Sequence, residues 1–219
     1  MAKIKVNNIE LFYETRGRGA PLILLHGNGE DHHIFDALAP KLQNHFTVYA
    51  IDSRNHGESA HTEDFSYETM AEDICLFIQA FHLAKVNLLG FSDGAIISLI
   101  LAMGSMDCIG KMALLGVNLK PEDFTEESYA FVKETYEATK DPLFKLMLEQ
   151  PNIPLEALQY VEIPTLVIAG ERDIFKPETF VNITNALPQA ELMIMKGQEH
   201  DSYITNQDSL YPALMEFFR

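Results

Sequence analysis

The sequence predicts an α/β protein built on a mostly parallel, doubly wound sheet of about eight strands. Short apolar runs alternate with stretches of helical periodicity along most of the 219 residues. Some of these runs, such as Pro21–Leu25, are apolar throughout, which is typical of inner parallel strands buried on both faces. Polar clusters follow the runs at residues 26–29, 90–94, 170–173 and 197–200. Carboxyl ends of parallel strands meet at one edge of a sheet, so a ligand site is expected there.

The elements are expected in a simple order along the chain. Two short strands, joined by a turn at residues 6–9, occupy residues 3–13, and a Gly/Arg loop follows at 15–20. Further strands are predicted at residues 21–25, 46–51, 86–89, 111–117, 165–169 and 191–195. Helices are predicted over about 32–42, 67–81, from 95 onward, 177–187 and 204–218.

The segment 120–160 interrupts this alternation. It is acidic, has a helical pattern and is punctuated by four prolines. We interpret it as two or three short helices, a small helical cap inserted after the sixth strand. Residues 1–119 and 161–219 would then form the core domain.

Charge and composition limit the partners. The chain has 16 Lys and Arg against 32 Asp and Glu, a formal net charge of −16. Nucleic acid and anionic membrane surfaces bind basic proteins, so neither is expected as a partner. A small-molecule substrate is expected instead, and the oligomeric state is left open. The acidic run from Glu122 to Glu137 is interpreted as a solvated face.

The sequence contains no recognisable targeting, membrane-spanning or cofactor-binding motif, and the expected compartment and cofactors follow from this. Cys75 and Cys108 have no metal-ligand spacing, and free thiols are typical of a reducing compartment. Residues 1–5 contain no apolar signal region, and no run of about 20 apolar residues could span a membrane. A cytoplasmic location is therefore expected. No metal cluster or nucleotide-binding glycine loop is recognised, so no metal and no cofactor are predicted.

The stretch Val86–Ile100 carries the main functional signal. It reads V-N-L-L-G-F-S-D-G-A-I-I-S-L-I, a strand that turns directly into a helix. Glycines two residues before and two after Ser92 remove side chains where the turn is crowded. The serine hydroxyl would then project at the tip of the turn, beside the N–H groups that open the helix. This arrangement suits acyl transfer, although the five residues alone are equally compatible with a glycine-bounded turn.

A base and an acid are available for this serine. His200 follows the last predicted strand, and Asp173 follows the strand before it. Asp173 could hold the imidazole of His200 in the tautomer that accepts a proton from Ser92. Taken singly, His200 could be a surface-loop residue and Asp173 a turn residue. The order Ser92, Asp173, His200 at three strand ends favours a triad.

The loop His26-Gly27-Asn28-Gly29 is the candidate for half of an anion hole. The backbone N–H groups of Asn28 and Asp93 could converge on a carbonyl oxygen. The ring of His26 is expected to shape the loop, not to transfer protons. His32 and His33 are expected to begin a helix.

Five ordered blocks resemble the α/β-hydrolase fold superfamily, in the branch with a small lid. The blocks are H-G-N-G at 26–29, D-S-R-N-H-G-E-S at 52–59, G-F-S-D-G at 90–94, G-E-R-D at 170–173 and G-Q-E-H at 197–200. The resemblance covers essentially the whole chain. It implies that Ser92 is the nucleophile, His200 the base and Asp173 the acid, with the oxyanion hole at the N–H groups of Asn28 and Asp93.

Two positions depart from the family pattern. Ala95 stands where a further glycine usually follows G-x-S-x-G, and Asn55 replaces the first glycine of D-x-R-G-x-G-x-S. Asn tolerates left-handed backbone, so the second turn is expected to survive. The insert of about 40 residues is short for a lid, which argues against large, enclosed substrates.

The function expected is that of a serine hydrolase that cleaves a small or medium carboxylic ester through an acyl-enzyme. Aromatic and Met residues of the insert could line an apolar pocket, although most are expected to pack on the domain. The same triad would also serve an acyltransferase, a thioesterase or a perhydrolase. A non-catalytic ligand sensor that retains the fold is a further alternative.

Overall fold

The computed structural model describes residues 2–104 and 107–219 and contains an eight-stranded sheet. Residues 1, 105 and 106 fall within the predicted core range 1–119 and lie outside the described residues. The strands are β1 Ala2–Val6, β2 Ile9–Gly17, β3 Ala20–Leu25, β4 Phe46–Ile51, β5 Val86–Phe91, β6 Ile109–Leu115, β7 Thr165–Arg172 and β8 Ala190–Glu199. Their order across the sheet is β1-β2-β4-β3-β5-β6-β7-β8.

The sheet is mostly parallel, as the sequence predicts. Only the pairs β1–β2 and β2–β4 are antiparallel. The other five neighbouring pairs are parallel. The carboxyl ends of β3, β5, β7 and β8 therefore lie at one edge, and the loops that follow them carry the predicted site residues.

Seven α-helices connect or cover the strands in the described residues. They are α1 Ala39–Leu42, α2 Tyr67–Ala80, α3 Asp93–Met103, α4 Glu126–Thr139, α5 Pro142–Glu149, α6 Pro177–Ala186 and α7 Tyr211–Phe218. Short 3₁₀ helices occur at His32–Phe35, Pro121–Asp123 and Leu155–Tyr160. Among the described helices, none has both the length and the apolarity needed to cross a membrane.

The core lies on both faces of the sheet. Side chains alternate between faces along a strand, so neighbouring residues of β3 join different clusters. Ile23 and Leu25 pack in a cluster with α2, α3 and α6. Leu22 and Leu24 pack on the opposite face, in a cluster that includes α1 and α7. All four side chains are fully buried, which explains why β3 reads as a continuous apolar run.

Two predicted helices are shorter than expected. The helix predicted at 32–42 divides into a 3₁₀ turn and the four-residue α1, because Pro40 has no N–H to donate within a continuous helix. The helix predicted at 204–218 begins only at Tyr211. Asn206 adopts a left-handed conformation with φ of 52°, and its N–H donates to Ile34 instead of continuing a helix.

The strands β2, β7 and β8 extend well beyond their predicted carboxyl ends. β2 continues to Gly17 through antiparallel pairing with β4, so most of the predicted loop at 15–20 is strand. β7 continues to Arg172 and β8 to Glu199. Asp173 and His200 therefore come directly after the last residues of two adjacent strands.

The segment between β6 and β7 is helical, as predicted for 120–160. Its helix α4 has 14 residues, which is longer than the short helices expected. The acidic residues of α4 are exposed, namely Glu126, Glu127, Glu134 and Glu137. Val132 of α4 and Leu146 of α5 are buried. A role for this segment as a cap stays a prediction.

Candidate active site

The turn between β5 and α3 presents Ser92 in a strained conformation. Its φ of 50° and ψ of −114° lie outside the regions that non-glycine residues usually occupy. The flanking glycines make this turn possible. A β-carbon on Gly90 would lie 2.1 Å from the Gly94 carbonyl oxygen, and one on Gly94 would lie 2.1 Å from the Leu25 carbonyl oxygen. No other residue type fits either position without movement of the backbone.

Ser92, His200 and Asp173 form a continuous chain of hydrogen bonds. Ser92 Oγ lies 3.1 Å from Nε2 of His200, and Nδ1 of His200 lies 2.7 Å from Oδ1 of Asp173. In the tautomer that fits both contacts, the serine hydroxyl donates to Nε2 and Nδ1–H donates to the carboxylate. These distances are suited to transfer of the hydroxyl proton to the imidazole.

The Asp173 carboxylate is held by the backbone around it. Its Oδ2 accepts the N–H of Gly170 at 3.1 Å, and its Oδ1 accepts the N–H of Phe175 at 3.3 Å. The side chain is only 2% exposed. Burial and fixed donors leave the carboxylate a single orientation, with one oxygen aimed at His200.

Aromatic rings enclose the imidazole of His200. The ring centroid of Phe91 lies 4.9 Å away, and Phe175 packs edge-on at 5.4 Å. Gly116, just after β6, contacts the remaining edge of the ring. These contacts help to orient the imidazole between Asp173 and Ser92.

Asn28 and Asp93, the two residues predicted to form the oxyanion hole, are in contact with each other beside Ser92. Asn28 lies in the loop after β3, and Asp93 is the first residue of α3. Within the described residues, neither backbone N–H donates to a protein acceptor. The side chains of the two residues are joined, since Nδ2 of Asn28 donates to Oδ2 of Asp93 at 3.0 Å.

The other predicted histidines lie outside this hydrogen-bonded chain. His26 is buried, its Nδ1–H donates to the Gly27 carbonyl, and its Nε2 accepts the N–H of Ser53. Burial lowers the pKa of His26 to about 4, so the ring is neutral. It shapes the loop, as expected. His32 is also buried, and its ring bonds to Asp52 instead of facing the cavity.

A cavity of about 730 Å³ opens above Ser92 and His200. Phe144 and Met147 of α5 supply part of its apolar wall. Other aromatic residues of the segment, such as Phe124, pack in the core. The rim is strongly acidic and carries Arg172, which is paired with Glu199 at 3.5 Å.

Glu30 is a cavity residue that the sequence reasoning did not single out. Its Oε2 accepts the N–H of Gly27 at 2.9 Å, while its own N–H donates back to the Gly27 carbonyl. This reciprocal pair closes the loop that contains Asn28. Burial raises the pKa of Glu30 to about 7, and the charges of Asp201 and Asp93 act in the same direction while that of His200 opposes it.

Metal-ligating side chains approach one another at one place in the described residues. Ligand atoms of Asp31, His32 and His33 lie within 4.8 Å of one another. Each of these groups already has a protein partner. Asp31 accepts the N–H of His33, and the ring nitrogens Nδ1 of His32 and His33 bond to Asp52 and Asp36. The trio is therefore explained as a helix start stabilised by hydrogen bonds.

Comparison with known proteins agrees with this architecture. A family model described as the alpha/beta hydrolase fold matches residues 20–141, more than half of the chain. The human protein named serine hydrolase BPHL is 28% identical over the whole chain and 86% of its own length. A Haemophilus influenzae protein named as an esterase/lipase is 31% identical, with 90% of this chain and 82% of the relative covered.

A solved structure shows the same fold. The meta-cleavage product hydrolase CumD from Pseudomonas fluorescens superimposes with a TM-score of 0.84, and the match covers 100% of this chain and 97% of the other. Sequence identity is 19%, so this likeness concerns the fold alone. With the family model and the Haemophilus relative, it leads to one conclusion: the chain belongs to the α/β-hydrolase fold family.

Proposed function

We propose that the protein is a serine hydrolase that cleaves small or medium carboxylic esters through an acyl-enzyme on Ser92. The observation that carries the proposal is the pair of hydrogen bonds at His200, 3.1 Å to Ser92 and 2.7 Å to Asp173. Action on ester bonds agrees with the human serine hydrolase and the Haemophilus esterase/lipase that the chain resembles.

The first half of the reaction forms the acyl-enzyme. Ser92 Oγ attacks the ester carbonyl, and Nε2 of His200 takes the hydroxyl proton. Asp173 stabilises the imidazolium that results. The N–H groups of Asn28 and Asp93 bind the oxyanion of the tetrahedral intermediate. The C–O bond to the alcohol then breaks, and His200 returns its proton to the leaving oxygen.

The second half releases the acid. A water molecule gives a proton to His200 and attacks the acyl carbonyl. The new tetrahedral intermediate collapses, the bond to Ser92 Oγ breaks, and His200 reprotonates the serine. The cycle consumes one ester and one water and yields one alcohol and one carboxylic acid, without a cofactor.

Residues 120–160 form a small cap over this site in our proposal, and residues 1–119 and 161–219 form the core. Phe144 and Met147 support the assignment, because they bring apolar surface from α5 to the cavity. A cavity of about 730 Å³ is within the size range of sites for small and medium ligands. A cytoplasmic location stays a prediction, supported by the free thiols of Cys75 and Cys108.

A panel of p-nitrophenyl esters of graded acyl length tests the proposal. We expect hydrolysis that declines beyond medium chains, and loss of nearly all activity in Ser92→Ala. Ser53→Ala is the matched control, because Ser53 is equally buried but its hydroxyl has no hydrogen-bond partner among the described residues. Activity of Ser92→Ala equal to that of the control would rule out the mechanism.

The acceptor is tested in the same assay. Acyl transfer, thioester hydrolysis and perhydrolysis would use the same three residues, and they differ only in what attacks or leaves. Adding ethanol or hydrogen peroxide to the ester assay, and replacing the ester with a thioester, ranks these reactions. We expect water to be the preferred acceptor for an oxygen ester. A large excess of ethyl ester product at low ethanol would instead identify a transferase.

A further inference from the structure

The residue next to the nucleophile carries a buried carboxylate that the proposed reaction does not use. Asp93 follows Ser92 and is only 4% exposed. The reaction requires its backbone N–H alone, so the side chain has no assigned role. Burial raises the pKa of this carboxyl, while hydrogen bonds from Tyr67 and Asn28 act in the opposite direction. A polar group buried to this extent is costly unless it is bonded.

Both carboxylate oxygens of Asp93 have partners from separate elements. Oδ1 accepts the hydroxyl of Tyr67 at 2.7 Å, and Oδ2 accepts Nδ2 of Asn28 at 3.0 Å. Tyr67 is the first residue of α2 and is 1% exposed, so its ring is fixed in the core. The carboxylate thereby connects the rigid start of α2 to the loop after β3.

The same residues are tied to the segment that covers the site. Nδ2 of Asn28 also donates to the Leu143 carbonyl at 3.3 Å, at the start of α5. At the other end of α5, Oε1 of Gln150 accepts the N–H of Tyr67 at 3.2 Å. The two partners of Asp93 therefore bond to the two ends of α5. Helix α5 also lines the cavity.

We propose that the Asp93 carboxylate and the Tyr67 hydroxyl are positioning groups for the oxyanion hole. The inference rests on the proposed function, because it concerns the two N–H groups that would bind the oxyanion. Tyr67 fixes the direction of the carboxylate, and the carboxylate fixes the side chain of Asn28. The backbone N–H of Asn28 and that of Asp93 are thereby held in one arrangement.

This positioning matters most in the transition state. Full negative charge on the carbonyl oxygen develops only as Ser92 attacks, so accurate placement of the donors lowers the barrier more than it strengthens substrate binding. A displacement of about 1 Å in such a group can cost about 10²-fold in rate. Loss of the Tyr67 hydroxyl should therefore reduce kcat and leave KM nearly unchanged.

Tyr67→Phe in the full chain is the direct test, because it removes one hydrogen bond and keeps the ring. We expect kcat/KM for p-nitrophenyl butyrate and the affinity for n-butylboronic acid to fall together, each by about tenfold or more. The boronic acid forms a tetrahedral adduct with the serine, so it reports on the oxyanion hole. Asn28→Ala keeps the backbone N–H and should give the same pattern, and the two effects should not add in the double variant.

The controls separate positioning from stability. Tyr13→Phe is the matched control. Tyr13 is a core tyrosine of β2 whose ring packs against Phe77 and Phe81. Removing its hydroxyl should leave kcat/KM and the affinity for the boronic acid unchanged. Circular dichroism measures the folded fraction of each variant. The proposal is overturned if Tyr67→Phe and Asn28→Ala keep wild-type affinity for the boronic acid, or if kcat/KM falls only through KM or through loss of folded protein.

Failure of this inference is distinguishable from failure of the proposed function. A fluorophosphonate that does not label wild-type Ser92 would overturn the hydrolase mechanism itself. Rapid labelling of the wild type, together with equal labelling rates in Tyr67→Phe and Asn28→Ala, would overturn only the positioning role.

Discussion

Gly116 is in direct contact with His200. A β-carbon built on Gly116 would lie 2.5 Å from Cε1 of the imidazole and 2.8 Å from its Nδ1. Gly116 also has a φ of 58°, in the left-handed region. Its missing side chain therefore provides the space in which the imidazole sits between Ser92 and Asp173.

Gly116→Ala should displace the imidazole and slow ester hydrolysis by about 10²-fold, because proton transfer depends on the distance from Nε2 to Ser92 Oγ. Steady-state kinetics with p-nitrophenyl butyrate measures this. Gly197→Ala is the matched control, since Gly197 has a φ of 71° and open space where its β-carbon would lie. An equal loss of activity in both variants would show that backbone strain, and not contact with the ring, is the main effect. Wild-type activity in Gly116→Ala would contradict the prediction.

Glu30→Gln should stabilise the protein increasingly as pH rises. The folded pKa of Glu30 is about 7, raised from 4.5 mainly by burial. Between these values the folded protein binds more protons than the unfolded chain, so the contribution of Glu30 to stability falls with increasing pH. Gln removes this titration and keeps an oxygen for the N–H of Gly27.

Urea unfolding at several pH values checks the prediction for Glu30. The gain of Glu30→Gln over the wild type should rise from pH 4.5 to pH 7 and level off there, at about 1–2 kcal/mol after allowance for partial exposure. A difference that does not change across this range would contradict the raised pKa.

His26 should make the free energy of unfolding fall as pH drops from 6.5 to 4. Its folded pKa of about 4 lies below the ordinary 6.5, mainly because of burial. The stability that depends on neutral His26 is present above pH 6.5 and is lost as pH falls toward 4. His26→Asn retains an acceptor for the N–H of Ser53 but does not titrate. The deficit of this variant should therefore shrink by up to about 3 kcal/mol between pH 6.5 and pH 4. A constant deficit in urea unfolding would refute this.

Tyr203→Phe should stabilise the protein. Tyr203 is 1% exposed, and its hydroxyl has no hydrogen-bond partner among the described residues. Removal of an unpaired buried hydroxyl is expected to raise the free energy of unfolding by about 1 kcal/mol. Tyr67→Phe serves as the contrast, since it breaks a bond to Asp93 and should lower stability. If Tyr203→Phe is the more damaging of the two in urea unfolding, the interpretation of the Tyr203 hydroxyl is wrong.

Elements set by local patterns were predicted well from the sequence. The apolar run of β3 and the strand–serine–helix turn at Ser92 depend on residues close together in the chain. The strand β2 was predicted too short. Glu14 and Arg16 pair with β4, but they are charged, so a hydrophobicity pattern does not identify them as strand residues. The final helix was predicted too long, because an apolar segment does not reveal the left-handed residue Asn206.

The candidate site was predicted in part. The proximity of Asp173 and His200 to Ser92 could be predicted because parallel topology brings strand ends together. Their catalytic roles stay a prediction. The roles of Tyr67 and Gly116 in contacting Asp93 and His200 were not found, because these contacts join residues distant in sequence and neither residue belongs to a recognised motif. The position of Glu30 in the loop follows from the sequence, because it lies two residues after Asn28. Its raised pKa could not be predicted, because the shift depends on burial in the folded protein.

The central claim is that His200 and Asp173 activate Ser92 as a nucleophile. Labelling with a fluorophosphonate, followed by mass spectrometry of the peptide that contains Ser92, tests it most directly. We predict one phosphonyl group per chain, on Ser92, with labelling slowed by at least about 10²-fold in His200→Ala. A folded wild-type protein that takes no label, or that labels equally fast without His200, would contradict the account.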